Sequence, residues 1–555
     1  MGRSTPHPGA HDLKAGADMS RRDDHDGPVT YAPAPLRPQD RAPHVPSAGV
    51  LVDVPRPRPA RERPSDPAET PPPTTAPWAQ RAVGLAVFAI AASAATALWL
   101  LLAVDVPEEA PGLHEGILLG VWHVLYDTEL PPPRILLAAL LLAVLLASGV
   151  ALLEQRISTR SRRSVDQRTD PLAPKLVMAA TRGVFAGPVT VAALIPAHDE
   201  EYSLPATIAS LKAQSHPPER IVVIADNCTD GTVEVARRAG VEVVETVANT
   251  RKKAGALNQV LARVLPELGD NDTVLVMDAD TMLDAGFLET AVARMSADRA
   301  LMALGGLFYG EEGAGVLGQF QRNEYIRYAR EMRRRDGRVL VLTGTASLFR
   351  PAALRAVADG RGTRLPGTFG DVYDTAALTE DNELTLALKS LGALMTSPPQ
   401  CTVVTEVMPT WRTLWAQRLR WQRGALENLG AYGVTPRTFR YWAQQLGIGY
   451  GVIALGAYFL LVTLATLSAE QMIWFPFWIG LGGLFALERV VTVWHGGWRA
   501  RLLAAALLPE LVFDAFLDIV YVKGVLDISL GRQASWKHVV HTAPAPVPQP
   551  AGGRP

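Results

Sequence analysis

The sequence is poor in cysteine and carries almost no net charge. Only Cys228 and Cys401 occur in 555 residues, and their separation gives no metal-ligand spacing. Two reduced cytosolic thiols are the simplest interpretation. The 54 Lys and Arg residues nearly balance the 55 Asp and Glu residues, for a net charge of -1. We therefore expect no overall attraction to nucleic acid.

The first 78 residues lack any apolar run. They are rich in proline, arginine, aspartate and alanine, and no apolar segment follows Met1. Such a composition cannot bury a core, and it does not resemble a signal peptide. We predict a disordered cytosolic tail over residues 1–78 and a second disordered tail over residues 531–555.

Apolar residues are instead concentrated in runs of membrane length. Residues 82–104 and 135–153 are free of charge, which predicts a transmembrane hairpin over residues 79–155. The loop between the runs is acidic, and five arginines follow the second run within residues 156–168. The distribution of arginine places the loop outside the cell and residue 156 onward in the cytosol. Residues 116–126 are too short to cross, so we expect an interfacial segment there.

Further apolar runs over residues 446–467 and 473–493 predict a C-terminal transmembrane region within residues 446–530, for four firm crossings in all. A third stretch, residues 502–522, carries Glu510, Asp514 and Asp518 on one helical face. That helix either lies at the interface or hides its acidic face inside the helix bundle. For the basic stretch around residues 327–335, we expect contact with lipid headgroups or with solvent.

The middle of the chain alternates short β-branched runs with helical segments, which predicts an α/β catalytic domain over residues 175–410. We expect strands at residues 189–195, 221–225, 241–246, 273–278 and 301–307, and helices at 204–214, 232–239, 254–265 and 287–295. This alternation indicates a doubly wound, mainly parallel sheet that binds ligands at the carboxyl ends of its strands. Polar residues follow several of these ends, beginning with Pro196, His198 and Glu200 after the first strand.

Asp278-Ala279-Asp280 directly follows an apolar strand. Carboxylate oxygens suit Mg²⁺ or Mn²⁺, and a cation held there would neutralise charge on a leaving diphosphate. Taken alone, the pair could instead cap the following helix. Its position after a strand, in order with other polar clusters, favours a metal site.

Three other positions near strand ends suit a nucleotide. Asp226 ends the second strand and could grip a base, although it could also cap a helix or form an Asx-turn. Lys253 is either a solvated lysine or a phosphate ligand, and the neighbouring Gly255 suggests a close backbone approach to phosphate. His198 is either structural or a flat ring beneath a nucleobase.

Thr379-Glu380-Asp381 opens a predicted helix, and Glu383 follows. Acids favour helix starts, but three of them exceed what capping needs. Because an attacking hydroxyl requires a general base, we assign Asp381 that role, with Glu380 assisting.

Gln417, Arg420 and Trp421 share one helical face by their spacing. A tryptophan face can stack on sugar rings, while glutamine and arginine supply hydrogen bonds. The same residues also fit an amphipathic interfacial helix, which we place within residues 411–445. Gly344 and Thr345 end another strand-like run and are either a turn or the lining of an acceptor subsite.

The order of these motifs resembles the membrane-bound family-2 glycosyltransferases, which include cellulose, hyaluronan, chitin-oligosaccharide and poly-N-acetylglucosamine synthases. The resemblance covers about residues 188–430. It implies a GT-A fold flanked by transmembrane helices, a UDP-sugar donor, a divalent cation and inversion at the anomeric carbon. It also implies a multi-pass protein of the plasma membrane with a cytosolic catalytic domain.

The resemblance assigns each motif a role. It implies donor contacts at His198, Asp226, Lys253 and Asp278, metal binding by Asp278 and Asp280, and catalysis by Asp381. Acceptor contacts fall to Gly344, Thr345, Gln417, Arg420 and Trp421. The acceptor would be a growing glycan, or alternatively a lipid or short acceptor that receives one sugar. Because only two or three helices follow the domain, a second copy or an accessory partner could complete a secretion path.

Overall fold

The computed structural model describes residues 113–118, 121–128, 170–182, 187–334, 337, 339–468 and 473–532. Strands in this part of the chain are β1 (Leu113–Leu118), β2 (Trp122–Asp127), β3 (Thr190–Ala197), β4 (Arg220–Ala225), β5 (Glu242–Glu245), β6 (Asp272–Met277), β7 (Thr281–Leu283), β8 (Leu301–Gly305), β9 (Leu307–Gly310), β10 (Ala346–Phe349), β11 (Leu394–Thr396), β12 (Thr402–Thr405) and β13 (Ile473–Trp474).

The α-helices of the same part are α1 (Pro174–Ala180), α2 (Leu204–Lys212), α3 (Thr232–Arg238), α4 (Lys252–Val264), α5 (Phe287–Ala297), α6 (Gly315–Arg334), α7 (Pro351–Gly360), α8 (Glu380–Ser390), α9 (Trp411–Tyr432), α10 (Phe439–Ser468), α11 (Pro476–Thr492), α12 (Gly497–Ala505) and α13 (Leu508–Ser529). The four helices and the first four strands predicted in the middle of the chain form within a few residues of their expected bounds.

A seven-stranded sheet in the order β11-β8-β10-β6-β3-β4-β5 forms the centre of the domain. Strands β3 to β6 pair in parallel, and β11 is parallel to β8. Only β10 among them runs antiparallel to its neighbours β6 and β8. The predicted α/β class with a mainly parallel sheet is confirmed. Because β10 is reversed, its start lies at the same edge as the carboxyl ends of the other strands.

The strand predicted over residues 301–307 is in fact two strands in different sheets. Gly306 N donates to Ala346 O (2.8 Å), whereas Leu307 N donates to Cys401 O (2.8 Å). The chain therefore leaves the central sheet and enters the smaller sheet β7-β12-β9. A Cβ at Gly306 would lie 3.0 Å from a ring carbon of Phe287, so the crossing point has little room for a side chain.

Helices cover both faces of the central sheet, which explains why its strands read as continuous apolar runs. On one face, α4, α7 and α8 bury Leu257, Leu354 and Leu384 against the sheet. On the other, α2 and α5 bury Ile208 and Phe287. Burial on both faces fixes the strands and holds their ends in place.

The C-terminal helices differ in part from the prediction. Within the described residues, the segment Phe439–Leu467 is long and apolar enough to cross a membrane. A second span exists if Pro476–Thr492 and Trp494–Ala505, which meet at a 63° bend, count as one. The predicted helix at 502–522 is broken between α12 and α13. The N-terminal runs at 82–104 and 135–153 lie outside the described residues, so that hairpin stays a prediction.

The acidic face of α13 is turned inward at Glu510. Glu510 is buried and accepts hydrogen bonds from Arg327 Nη2 at 2.6 and 2.8 Å, and Arg489 lies 3.4 Å away. Asp514 pairs with Arg489 at 2.5 Å. The hidden alternative therefore holds for Glu510, whereas the side chain of Asp514 is 31% exposed and Asp518 is only half-buried. The expectation of headgroup contact or solvation is wrong for Arg327, whose charge neutralises Glu510.

The segment expected to be interfacial, residues 116–126, lies within a β-hairpin. Strands β1 and β2 pair antiparallel from Leu113 with Asp127 to Leu118 with Trp122. Strand β13, between α10 and α11, joins the hairpin in parallel with β2. The pairing of β2 with the distant strand β13 cannot be recognised from the local sequence of residues 116–126.

Candidate active site

The predicted site residues converge at the carboxyl edge of the central sheet. A cavity of about 1050 Å³ opens there, between the strand ends, α8 and α9. Fourteen of the fifteen predicted residues line it, namely Pro196, His198, Glu200, Asp226, Lys253, Asp278, Asp280, Gly344, Thr345, Glu380, Asp381, Gln417, Arg420 and Trp421. The predicted carboxylates Glu200 and Asp381, 181 positions apart in sequence, thus share one cavity.

Gly255 is the predicted residue that does not line the cavity. It is buried in α4, where a Cβ would lie 2.2 Å from Asn249 Oδ1 and 2.7 Å from Arg251 Cβ. The expected close backbone approach is therefore to Asn249 and not to a phosphate. Gly255 acts indirectly, because Asn249 Nδ2 donates to Asp226 Oδ1 at 2.8 Å.

Asp226 is fixed by its neighbours and does not cap a helix. Its Oδ1 accepts hydrogen bonds from Thr246 Oγ1 (2.8 Å), Asn249 Nδ2 (2.8 Å) and Asn227 Nδ2 (3.1 Å). The helix that follows has Gly231 at its N-cap. The ring nitrogen Nδ1 of His198 lies 2.5 Å from the carbonyl oxygen of Asp226. These contacts tie the loops after β3, β4 and β5 together. Thr246 and Asn249 were not predicted.

A second acidic cluster lies near these loops. The ligand atoms of Asp199, Cys228 and Asp230 lie within 4.8 Å of one another. Their carboxylates already accept backbone N–H groups: Asp199 Oδ1 from Thr229 (2.6 Å), and Asp230 Oδ2 from Glu201 (3.0 Å). The cluster thus stabilises the loop rather than presenting free oxygens.

Lys253 links two of the acidic motifs. Its Nζ lies 2.6 Å from Asp278 Oδ1 and 2.9 Å from Glu380 Oε1. Burial disfavours the charge of Lys253, but Asp278 and Glu380 outweigh burial and hold its pKa well above the ordinary value. Lys253 is therefore a fixed cation inside the cavity, and not the solvated lysine of the alternative interpretation.

Glu380 and Asp381 are adjacent, yet their environments separate their pKa values. Burial opposes ionisation of Glu380, but Lys253 and Arg420 outweigh burial and lower its pKa. Burial and the charge of Glu380 raise the pKa of Asp381 to about 6. Asp381 Oδ2 accepts a hydrogen bond from Gly344 N (3.0 Å), and Oδ1 accepts one from Asn382 N (2.7 Å). Glu380 thus favours the ionised form, and beside it Asp381 is held in place and can exchange a proton near neutral pH.

Asp280 is buried near three other carboxylates, those of Asp278, Glu200 and Glu406. Burial, followed by the charges of Asp278, Glu200 and Glu406, raises its pKa to about 7. Its Oδ1 accepts a hydrogen bond from Thr281 Oγ1 at 3.1 Å. A dense group of hard oxygens with excess negative charge fits a divalent cation. Asp280 fits the ligand role better than Asp278, since Lys253 already neutralises Asp278.

Gly344 marks the point where the motifs meet. A Cβ there would lie 3.1 Å from Lys253 Nζ, 3.3 Å from Asp278 Oδ2 and 3.6 Å from Asp381 Oδ2. The sequence had suggested that Gly344 and Thr345 end a strand. In the structure they instead precede β10. The antiparallel direction of β10 nevertheless brings them to the predicted edge.

Helix α9 closes the cavity with the Gln417, Arg420 and Trp421 face. Gln417 Oε1 is buried and has no hydrogen-bond partner among the residues that the structure describes. The helix approaches α8 closely, since a Cβ at Gly424 would lie 2.5 Å from Thr379 Oγ1. Asn428 Nδ2 donates to Thr379 O at 3.1 Å. Gly424 and Asn428 were missed, because one sequence gives no sign of which helix they face.

Glu383, counted at first with the acids of the site, has a structural role. Its carboxylate forms a buried pair with Arg361, with contacts of 2.5 and 2.7 Å. It also accepts a hydrogen bond from Tyr432 Oη at 2.5 Å. This pair joins the loop after α7 to the helix that carries Asp381, and the Tyr432 contact adds the end of α9.

Replacing Arg361 should destabilise the fold strongly. Arg361→Met would leave the Glu383 charge buried without its partner, which typically costs about 3–5 kcal/mol. The matched control is Arg364→Met, because Arg364 is exposed on the same loop. We expect a lower Tm for Arg361→Met in thermal unfolding of the purified protein and little change for the control. Equal Tm values would contradict a stabilising role for the pair.

Residues 188–424 match the family model described as glycosyltransferase like family 2. This part of the chain is a family-2 glycosyltransferase domain. Over 243 residues it is 25% identical to poly-beta-1,6-N-acetyl-D-glucosamine synthase of Staphylococcus epidermidis, covering 42% of this chain and 54% of that protein. Over 247 residues it is 27% identical to the probable glycosyltransferase YdaM of Bacillus subtilis, with the same coverage of both chains. The chain thus spans about half the length of these relatives.

Two solved structures are also similar. One is the mannosyltransferase PcManGT from Pyrobaculum calidifontis in complex with GDP-Man and Mn²⁺, at 16% identity and a TM-score of 0.41, covering 71% of this chain and 98% of that one. The other is glucosyl-3-phosphoglycerate synthase from Mycobacterium tuberculosis with Mn²⁺, UDP and phosphoglyceric acid, at 18% identity and a TM-score of 0.30, covering 47% and 84%.

Proposed function

We propose that the protein transfers sugar from a UDP-sugar donor to a growing polysaccharide, with inversion at the anomeric carbon and with Mg²⁺ or Mn²⁺ as cofactor. The observation that carries the proposal is the shared cavity. Asp280, Lys253, Asp381 and Trp421 supply cation-binding, phosphate-binding, basic and sugar-stacking groups at its walls. These four groups are what direct displacement of a sugar from a nucleoside diphosphate requires.

In this mechanism Asp381 takes the proton from the acceptor hydroxyl. The amides of Gly344 and Asn382 hold its carboxylate in place, and its raised pKa makes it a better base near neutral pH. Lys253 stabilises the negative charge of the departing diphosphate, and Asp226 and His198 lie at the nucleobase end. A divalent cation held by Asp280 and Asp278 would neutralise further charge on the diphosphate.

Two features support a saccharide acceptor and repeated addition. The cavity, at about 1050 Å³, lies at the upper end of the range of about 300–1,000 Å³ that is usual for small-molecule pockets, which suits a donor together with part of an acceptor. In its walls, Gln417 Oε1 and Gln445 Oε1 are buried without a hydrogen-bond partner among the described residues, and sugar hydroxyls could donate to them. The similarity to a polysaccharide synthase points the same way. Transfer of one sugar to a lipid or short acceptor is the second candidate.

We place the reaction at the cytosolic face of the plasma membrane in a multi-pass protein. The support is the apolar helix α10, which begins at Phe439, seven positions after the cavity-lining helix α9 ends at Tyr432. The distribution of arginine after residue 156 supports a cytosolic domain. A second copy of the chain or an accessory protein would complete a secretion path.

The test is to supply UDP-glucose, UDP-N-acetylglucosamine and GDP-mannose separately to the purified protein with Mn²⁺. We expect one UDP-sugar to be consumed, and we expect a ladder of radiolabelled products on a gel. A single band would favour the second candidate. If no donor is consumed, the chain is a non-catalytic scaffold and the proposed function is wrong.

A further inference from the structure

Arg418 lies inside the Gln417–Trp421 motif but has no part in the mechanism above. Its side chain is only 3% exposed, and its Nη2 lies 2.8 Å from Glu324 Oε2 on α6. A buried guanidinium is costly unless it is paired and well placed. Arg418 does not line the cavity itself, but it contacts Glu324, Tyr325 and Trp421, which do.

Arg418 is stacked against a group of aromatic rings. Its guanidinium carbon lies 4.3 Å from the Trp421 ring centroid and 5.6 Å from that of Tyr325. Tyr325 contacts Phe308 edge-on at 4.7 Å, and Phe308 stacks on Tyr328 at 5.2 Å. All four aromatic residues line the cavity. We call Phe308, Tyr325, Tyr328 and Trp421 the aromatic wall.

The chemistry of this wall suits an uncharged saccharide. Flat ring faces pack against the C–H faces of pyranoses, whereas phosphates need available cations. The Arg418 guanidinium is paired with Glu324 through Nη2 and lies over the Trp421 and Tyr325 rings, while its Nε and Nη1 are buried without a hydrogen-bond partner among the described residues. Arg418 and Glu324 offset each other's charge, so the pair leaves no net positive charge here to attract a phosphate.

We propose that the aromatic wall binds the acceptor saccharide and that Arg418 is the positioning residue that fixes the plane of Trp421. This inference rests on the proposed function, because it needs an enzyme that transfers sugar. It extends the acceptor site from α9 onto β9 and α6. The wall selects a saccharide and not a phospholipid headgroup.

A double-mutant cycle tests the role of Arg418. Arg418→Lys keeps the positive charge for Glu324 but loses the planar group on Trp421. We expect it to raise the KM for a tetrasaccharide of the polymerised sugar about tenfold, and to leave the Kd for UDP with Mn²⁺ within twofold. In a Trp421→Ala background the same change should have no further effect, because Arg418 acts through that ring. The control is Arg412→Lys, an exposed position on the same helix.

A second pair of variants tests the wall itself. Tyr328→Ala should raise the KM for the tetrasaccharide, while Tyr328→Phe, which keeps the ring, should restore it. Independent effects of Arg418→Lys and Trp421→Ala, or an unchanged KM in Tyr328→Ala, would overturn the proposal. So would loss of UDP binding in Arg418→Lys, which would show a role in the fold. Failure of the wild-type protein to consume any donor would instead refute the proposed function.

Discussion

Asp381→Asn should lower turnover by about 10²–10⁴-fold, the usual contribution of a general base. The amide has nearly the same shape but cannot accept the proton of the acceptor hydroxyl. Lys253, Asp226 and His198 remain in place, so the affinity for UDP should change little. Turnover is measured as UDP release, and affinity by calorimetry. Asp359→Asn is the matched control, because Asp359 is exposed on α7.

The pH dependence of turnover gives a separate check on Asp381. Its carboxyl has a raised pKa of about 6 and must be ionised to act as the base. Turnover should therefore be high above this pH and fall as the pH drops through about 6. Lys253 and Glu380 face Asp381, and both stay charged over this range by the directions of their shifts. Unchanged turnover of Asp381→Asn would contradict the assignment.

Asp280→Asn should have the second large effect, on the metal requirement. Loss of an outer-shell partner typically lowers metal affinity 10–100-fold, and loss of a direct ligand should cost at least that much. We expect the Mn²⁺ concentration for half-maximal turnover to rise by about 100-fold or more. Mn²⁺ binding in the presence of UDP, measured by electron paramagnetic resonance, should weaken in parallel.

The control for this prediction is Asp270→Asn, an exposed acid before the amino end of the same strand β6. Asp278→Asn provides a contrast, because it also removes the partner of Lys253 at 2.6 Å. It should weaken donor binding as well as the Mn²⁺ response. If Asp280→Asn keeps the wild-type Mn²⁺ dependence, the cation site lies elsewhere.

The positions of most site residues could be predicted because they follow local patterns. Asp226 and Asp278 each come directly after a run of buried apolar residues. Such runs predict strands, and parallel strands bring their carboxyl ends to one edge. Asp381 and Gln417 were found in the same way, from helix starts and helical spacing. Periodicity, short motifs and the family resemblance together therefore predicted fourteen residues that line one cavity.

Residues whose role depends on a distant partner could not be assigned in this way. Glu383 follows Glu380 and Asp381 closely in sequence, yet its carboxylate is paired with Arg361 outside the cavity. Gly255 suggested a phosphate contact, but Asn249 occupies the space beside it. Arg418 and Gly424 look like ordinary helix residues until α6 and α8 are seen against them.

The sequence by itself determined the α/β alternation, the strand ends and the family of the domain. These follow from hydrophobic periodicity and short motifs, which depend on neighbouring residues along the chain. Only the tertiary structure decided that β10 is reversed, that Glu383 is structural and that Glu510 of α13 is buried against Arg327. Each of these depends on contacts between residues far apart in sequence, whose energies do not appear in any local pattern.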